Sequence, residues 1–478
     1  MSAEVPEPLF LAQCRMPMNR ASIPLTAVPQ PKTPSPAAPA PHARAARPSL
    51  VRSLDARLML LLIFWVALVF EPQLWAVSRG LDPAGKIPTV LGGLLVIVLL
   101  MRPPARGWSA PLLSYTAFIT LTMPFAVNRA SAFDPIKAML IFNVLAVATL
   151  GWVKDARVAR PILLMLFVGQ FLWWGILGVV HGRVDWHPNL ANFDGYGPMM
   201  VMGIGMAFYF GLATRERRIR WLAFLAAGLS VAGVVGSFAR GAELSALSVL
   251  GYIWLRWPRK LKATLAIIAA SVIVVITASF LSNVVRGGDN DSPQGFWADA
   301  LTVTNEFDES KGGSSNDRRM LWSAADEIFR QHPILGVGVG NFGPAAAQLP
   351  GQVFLKWNLE NPATLWARAL HSSYYQVLCE GGLVGCALYL WLVIDFVRRN
   401  RAIRSRRALH YWATTTAAEF DLRYLSWGLE AGFIGFLGCA LFYNQLYVHW
   451  FYTLSIVNAL LYQLSRPSPR TAMHARAV

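Results

Sequence analysis

Charge is scarce in this chain of 478 residues: 14% of positions are Asp, Glu, Lys or Arg, against 55% that are hydrophobic. Mean hydropathy is +0.42, with 18 Trp. These values are wrong for a soluble enzyme and fit a chain that crosses a membrane many times. Cysteine is rare as well, at Cys14, Cys379, Cys386 and Cys439, and the outer loops assigned below hold none, so neither a disulfide nor a thiolate metal site is implied there. Cys379 and Cys386 fall on one expected helix, about 10 Å apart at a rise of ~1.5 Å per residue, beyond disulfide reach. No apolar core precedes Leu58, so no signal peptide is expected. Residues 1–52, rich in Pro and Ala and without periodic apolar positions, read as a disordered cytoplasmic tail. Acidic residues are outnumbered 26 to 43, a formal charge of +17. That surplus falls in short blocks between apolar runs, which argues against nucleic-acid binding through one basic face.

About twelve of those apolar runs approach the ~20 residues needed to span a bilayer. They lie near 57–77, 87–102, 108–127, 134–153, 160–180, 196–213, 221–239, 241–257, 262–282, 372–397, 424–444 and 446–465. The second is short, and the seventh and eighth are separated only by Phe238 to Gly241, which leaves a re-entrant hairpin as the alternative for each. One alternate set of loops collects the basic residues: Arg52 and Arg57, Arg102 and Arg106, Lys154 to Arg160, Arg215 to Arg220, Arg256 to Lys262, and Arg398 to Arg407. By the positive-inside rule these loops and both termini face the cytoplasm. The expected fold is therefore all-α, a polytopic membrane helix bundle of about 12 transmembrane helices. Helices 1–9 occupy 53–282, a large periplasmic loop with short helices occupies 283–371, helices 10–12 occupy 372–466, and 467–478 is a cytoplasmic C-terminal tail. A loop that long should carry its own structure. Within it, Asp317 to Gln331 reads as an amphipathic helix with Leu321, Ala325 and Ile328 on one side, ended by His332-Pro333.

Charged groups at membrane depth are expensive, so each calls for a partner or a task. Arg240 sits in Gly236-Ser237-Phe238-Ala239-Arg240-Gly241-Ala242-Glu243 at the outer end of a span. Flanking Gly and Ala would let a substrate approach the backbone; the plain alternative is pairing with Glu243 one turn on, or snorkelling. Arg318 and Arg319, in Asn316-Asp317-Arg318-Arg319-Met320-Leu321-Trp322, offer guanidinium forks that hold phosphate bidentately. The alternating glycines of Ile334 to Phe342 lack the strand before and cytoplasmic helix after that a nucleotide loop requires, so they read as a tight turn packing the loop against the membrane. His371 opens His-Ser-Ser-Tyr-Tyr-Gln-Val-Leu-Cys-Glu380-Gly-Gly, where the polar stretch re-enters an apolar one. An imidazole titrates near neutrality and can take a proton from a sugar hydroxyl, although a histidine at an interface also serves as a simple cap. Lys137, just inside the fourth span, either snorkels or meets an anionic head group. Asp289-Asn290-Asp291 has the Asp-x-Asp spacing of a divalent-metal site but lies in a turn-like Gly/Asp/Ser stretch. His181, Asp185 and His187 share an outer loop without a further fixed ligand. No metal and no cofactor is expected.

Taken in order, four motifs resemble the O-antigen ligase and O-antigen polymerase superfamily of bacterial envelope enzymes. They are Ser-Phe-Ala-Arg240-Gly before a span, Asp-Arg318-x-x-x-Trp322 at a helix start, Pro333-Ile-Leu-Gly-Val-Gly-Val-Gly-Asn-Phe342, and His371-Ser-Ser-Tyr-x-Gln-Val-Leu-x-Glu380-x-Gly. The resemblance covers about 230–390. It implies a glycosyltransferase of the O-antigen ligase type in the bacterial inner (cytoplasmic) membrane, acting on lipid-linked oligosaccharide. Its implied reaction moves a glycan from undecaprenyl diphosphate to a lipid A-core or similar acceptor hydroxyl on the periplasmic face, without metal and with inversion. The implied partners are the lipid-linked donor, the glycan or protein acceptor and membrane lipid, with no nucleic acid. Arg240 and Arg318 would hold the diphosphate, with Arg319 in reserve, and His371 would act on the acceptor; Lys137 and Glu380 would be auxiliary. A polymerase or a protein O-oligosaccharyltransferase would share the donor. A polysaccharide transporter fits less well, because no half-to-half similarity is visible. A metal-dependent multi-spanning glycosyltransferase would lean on acidic residues in an early outer loop, and the first outer loop of this chain offers only Asp82.

Overall fold

The computed structural model describes residues 55–104, 109–181, 193–237, 239–262, 314–357, 359, 361–415 and 419–466, with isolated positions from 264 to 272. All of them lie in one compact unit, Leu50–Val478. The two tails, residues 283–313 and most of the expected ninth span are outside the described residues.

The described residues are helical, and their one β-bridge joins Thr214 to Phe420. In chain order the helices are α1 (Ala56–Val69), α2 (Pro72–Val77), α3 (Ile87–Met101), α4 (Ala110–Thr122), α5 (Arg129–Trp152), α6 (Ala156–Leu164) and α7 (Gln170–His181). There follow α8 (Phe193–Ala213), α9 (Arg217–Gly236), α10 (Arg240–Arg256), α11 (Ser314–Gln331), α12 (Phe342–Ala346), α13 (Ser373–Ile403), α14 (Arg406–Thr415), α15 (Leu422–Ala440) and α16 (His449–Leu464). Several begin at a side-chain cap that satisfies an orphan N–H: Asp55 accepts from Leu58 N at 3.0 Å, Asn128 from Ala130 N at 3.0 Å, Asp155 from Arg157 N at 2.7 Å and Asp421 from Arg423 N at 2.8 Å. A hydrogen bond from Arg57 also holds the Asp55 carboxyl below the usual carboxylate range.

Six described segments are long and apolar enough to cross a membrane: Asp82–Met101, Arg129–Trp152, Ala156–Gly178, Gly195–Ala213, Arg217–Gly236 and Ser373–Ile403. Their burial differs with position. In α8, 89% of the apolar window is buried against protein, whereas only 11% is for Asp82–Met101, so α8 is central and α3 peripheral. Large apolar side chains such as Val90, Leu94 and Ile97 on α3, Leu225 on α9 and Leu390 and Ile394 on α13 are exposed, as lipid-facing residues are. Where α8 meets α15 the helices approach closely: a Cβ on Gly205 would stand 2.3 Å from Ala431 Cβ. Small residues at the seam are how membrane helices gain packing contacts when lipid supplies no hydrophobic drive.

Four expected spans need correction. The first, 57–77, is broken between α1 and α2, where Glu71 has φ +44° and Pro72 cannot continue the ladder. The eleventh and twelfth are separated by a non-helical connection over 441–448 rather than by a single residue. The tenth is one helix only in outline, because Gly382 in α13 has φ 58° and ψ −161°. The seventh and eighth are α9 and α10, and α9, at about 30 Å for a rise of ~1.5 Å per residue, is long enough to cross rather than re-enter.

The expected amphipathic helix is α11, with Leu321, Ala324, Ala325 and Ile328 buried. They pack with Val337, Phe342, Ala346, Phe354 and Leu370 into a second small core that lies against α13 through Cys379. The glycine turn that follows α11 is spliced into the α13 break. Cys379 O and Glu380 O would ordinarily accept from Leu383 N and Val384 N. Here they accept instead from Val337 N and Gly338 N, both at 3.0 Å, while Leu383 N and Val384 N donate to Pro333 O at 2.8 Å and Ile334 O at 3.1 Å. These four backbone groups beside the break are thus re-paired, as a broken helix within a membrane requires. Gly336, Gly338 and Gly340 all have φ between 67° and 93°, the left-handed region in which glycine alone is unstrained.

Gly382→Ala is expected to destabilise the protein by at least about 1–3 kcal/mol, since its φ/ψ is close to glycine-only and its Cβ would sit 2.5 Å from Ile334 O. Gly228→Ala, in helical α9 with open space around its Cβ, should be neutral or stabilising by up to about 1 kcal/mol. Thermal unfolding of the two variants in detergent checks the contrast.

Candidate functional site

Arg240, Arg318 and His371 each sit at or near the start of a helix, and those starts are tied together. Arg240 is the first residue of α10 and half-buried. A cation there opposes the helix dipole, an arrangement that favours an added anion. Two residues on, Ala242 N donates to Tyr443 Oη at 3.0 Å. Tyr443 belongs to the 441–448 connection, whose backbone also receives the start of α13: Ser373 Oγ donates to Tyr443 O at 2.8 Å and accepts from Gln445 N at 2.8 Å, while Ser372 N donates to Asn444 Oδ1 at 3.2 Å. His371 stands immediately before these serines at φ +54°, a left-handed conformation that histidine tolerates better than most residues. The two serines of the His371 motif therefore act as anchors, fixing the backbone that carries the imidazole.

The third helix start joins from the other side. Tyr375 stacks on Trp322 of α11, with ring centroids 5.2 Å apart and planes 13° from parallel. Arg318 lies one turn before Trp322 and on the same face as buried Leu321 and Ala325. Arg318 is half-buried and Arg319 exposed, so the helix register favours Arg318.

Glu380 is fully buried and acts as a clamp. Its carboxylate accepts from Gly340 N at 2.9 Å, Phe342 N at 3.3 Å and Tyr447 Oη at 2.6 Å, with Gln376 Nε2 at 3.5 Å from both oxygens. One side chain thereby holds the glycine turn, α13 and the 441–448 connection together. The turn is also tied to the start of α5, through Val127 N to Val337 O at 3.2 Å and Asn128 N to the Asn341 side chain.

Other candidates resolve differently. Lys137 pairs with Asp134 at 2.7 Å on the exposed side of α5. The space at Gly241 is taken by Phe442 and Tyr443, whose nearest atoms would be 2.7 and 2.9 Å from a Cβ, so this glycine serves packing rather than substrate approach. The glycine turn binds protein backbone on both sides, as a packing turn does. Asp289, Asp291, Asp185, His187 and the His181 side chain lie outside the described residues, and no cluster of three His, Cys, Asp or Glu residues that would hold a metal is found among the described ones. The residues unforeseen from sequence are Tyr443, Asn444, Gln445 and Tyr447, a polar cluster between two apolar spans. The Gln445 amide is fully buried with no hydrogen-bond partner among the described residues, beside Ser373.

These features define a helical membrane protein with arginine, histidine and tyrosine residues gathered at one end of its bundle. Residues 225–390 match the family model described as O-antigen ligase, which supports a relation of that segment to the O-antigen ligase superfamily. The match, about a third of the chain, coincides with the stretch that carries the four motifs. The match supports a glycosyltransferase-like enzyme of the O-antigen ligase or polymerase kind, a class whose general substrate is a lipid-linked glycan. No curated protein matches the chain.

Glu380→Ala should lower stability by roughly 1–3 kcal/mol for each donor left unpaired, and Tyr447→Phe, which removes one donor from the clamp, should lower it less. Unfolding midpoints in detergent check this order.

Proposed function

We propose that this enzyme is an O-antigen ligase-like glycosyltransferase that moves a glycan from undecaprenyl diphosphate to a lipid A-core or similar acceptor hydroxyl. The observation that supports this reading is the pair of links, through Tyr443 and through the Trp322–Tyr375 stack, between the segments bearing Arg240, Arg318 and His371. By the positive-inside rule the end holding those segments is periplasmic, because the opposite end gathers Arg160, Arg215, Arg220, Arg256 and Arg404. With the expected ninth span, the helices complete a bundle of about twelve crossings.

In this mechanism breaking the anomeric bond leaves growing negative charge on the diphosphate. Arg240 and Arg318 aim guanidinium groups at it and stabilise the transition state more than the bound donor. His371 takes the proton of the acceptor hydroxyl as that oxygen attacks the anomeric carbon, so one bond forms as the other breaks and the configuration inverts. Two fixed cations do the electrostatic work that a divalent metal does in other transferases, and the reaction is metal-independent.

Each of Arg240→Ala and Arg318→Ala should lower turnover by about 10²–10³-fold, and His371→Ala by about 10²–10⁴-fold, with a smaller loss for Arg319→Ala. The assay follows surface glycans in a bacterial strain lacking its own ligase. Free lipid-linked polymer without modified lipopolysaccharide supports ligation; loss of chain length points to polymerisation, and loss of glycan from protein to an O-oligosaccharyltransferase. Activity surviving all three substitutions sinks the assignment. Activity is expected to persist in EDTA, and its abolition would return attention to Asp289 and Asp291.

A further inference from the structure

At the other end of the bundle lies a cavity of about 400 Å³ that the glycosyl-transfer reading does not use. It sits between the α8–α9 turn, α14 and the start of α15. Its lining is mixed: apolar side chains, Leu409, Trp412 and Phe420 among them, stand beside Arg215, Arg220, Arg423 and Asp421. The nearby acids are largely engaged elsewhere: Arg160 takes Glu216 at 2.9 Å and Glu419 at 3.6 Å, and Asp421 caps α15 through Arg423 N. Arg220 gives one N–H to Thr214 O at 2.8 Å, which orients its guanidinium. The Arg215 and Arg423 side chains make no ion pair with a described carboxylate. Three guanidiniums against one carboxylate leave the cavity net positive, and the Trp412 indole is fixed there by its bond to Phe420 O at 2.9 Å.

We propose that this cavity binds the phosphate of an anionic phospholipid. Guanidinium forks suit phosphate oxygens, and the apolar part of the lining, Leu409, Trp412 and Phe420, suits the glycerol and upper acyl region that accompany a lipid phosphate but not a free one. Basic pockets between membrane helices at the surface where basic loops gather are where anionic head groups bind. Amphipathic α14, with Arg406 and Arg407 at its start and Leu409 and Trp412 turned to the cavity, lies beside the opening.

The test uses the full-length protein in detergent and native mass spectrometry, offered phosphatidylglycerol, cardiolipin, phosphatidylcholine or inorganic phosphate. Retained phosphatidylglycerol or cardiolipin and unretained phosphatidylcholine are expected. Arg215→Gln and Arg423→Gln, whose side chains make no hydrogen bond or ion pair among the described residues, should each weaken retention roughly tenfold or more. Arg217→Gln, in the same basic block but outside the cavity, should leave it unchanged. Full retention by the Arg215→Gln/Arg423→Gln double variant overturns the proposal, as does an equal loss in Arg217→Gln. Inorganic phosphate binding as tightly as the lipids also overturns it, by placing the ligand in the aqueous phase.

Discussion

The structure turns on a rule of membrane chemistry: a backbone N–H or C=O withdrawn from water needs a partner within the protein. At Gly382 helix α13 breaks that rule locally and the glycine turn repairs it, exchanging four backbone hydrogen bonds with the two sides of the break. The exchange fastens the segment containing α11 and its small core to the bundle, alongside the Glu380 clamp, the ties to the start of α5 and the Trp322–Tyr375 stack. Because the pairing is between backbones, it demands close approach, which explains glycine on both strands of the contact, at 336 and 382.

Glu380 extends the same logic to side chains. A buried carboxylate is costly unless its lone pairs are filled, and here backbone N–H groups and the Tyr447 hydroxyl fill them. With Glu380 itself on α13, the clamp joins three separate parts of the chain and converts an electrostatic need into a tertiary lock. From that lock the 441–448 connection reaches both the start of α10 and the start of α13. The unusual backbone at His371 is held by this surrounding set of bonds.

The two ends of the bundle divide the labour. One gathers the polar network around the O-antigen ligase motifs, and the other gathers arginines, some in structural pairs such as those of Arg256 and Arg404 with Glu430 and some lining a cavity. Separation follows from the alternation of spans, since successive loops emerge on opposite sides.

Apolar runs, alternating basic blocks, the 3.6-residue pattern of Leu321, Ala325 and Ile328, and the glycine-rich turn were all legible in the sequence, because each depends on residues close together in the chain. The four motifs were legible too, as order and spacing. The α13 break was hidden within an apolar stretch, where Gly381-Gly382 looks like ordinary helix until the turn, more than forty residues earlier, supplies its missing partners. Glu380 read as an auxiliary charge for the same reason: its donors lie in segments distant in sequence. Composition and periodicity determined that this protein is a helical membrane bundle with a folded segment between spans; which side chains meet was decided only when distant backbone groups, shut off from water, had to find one another.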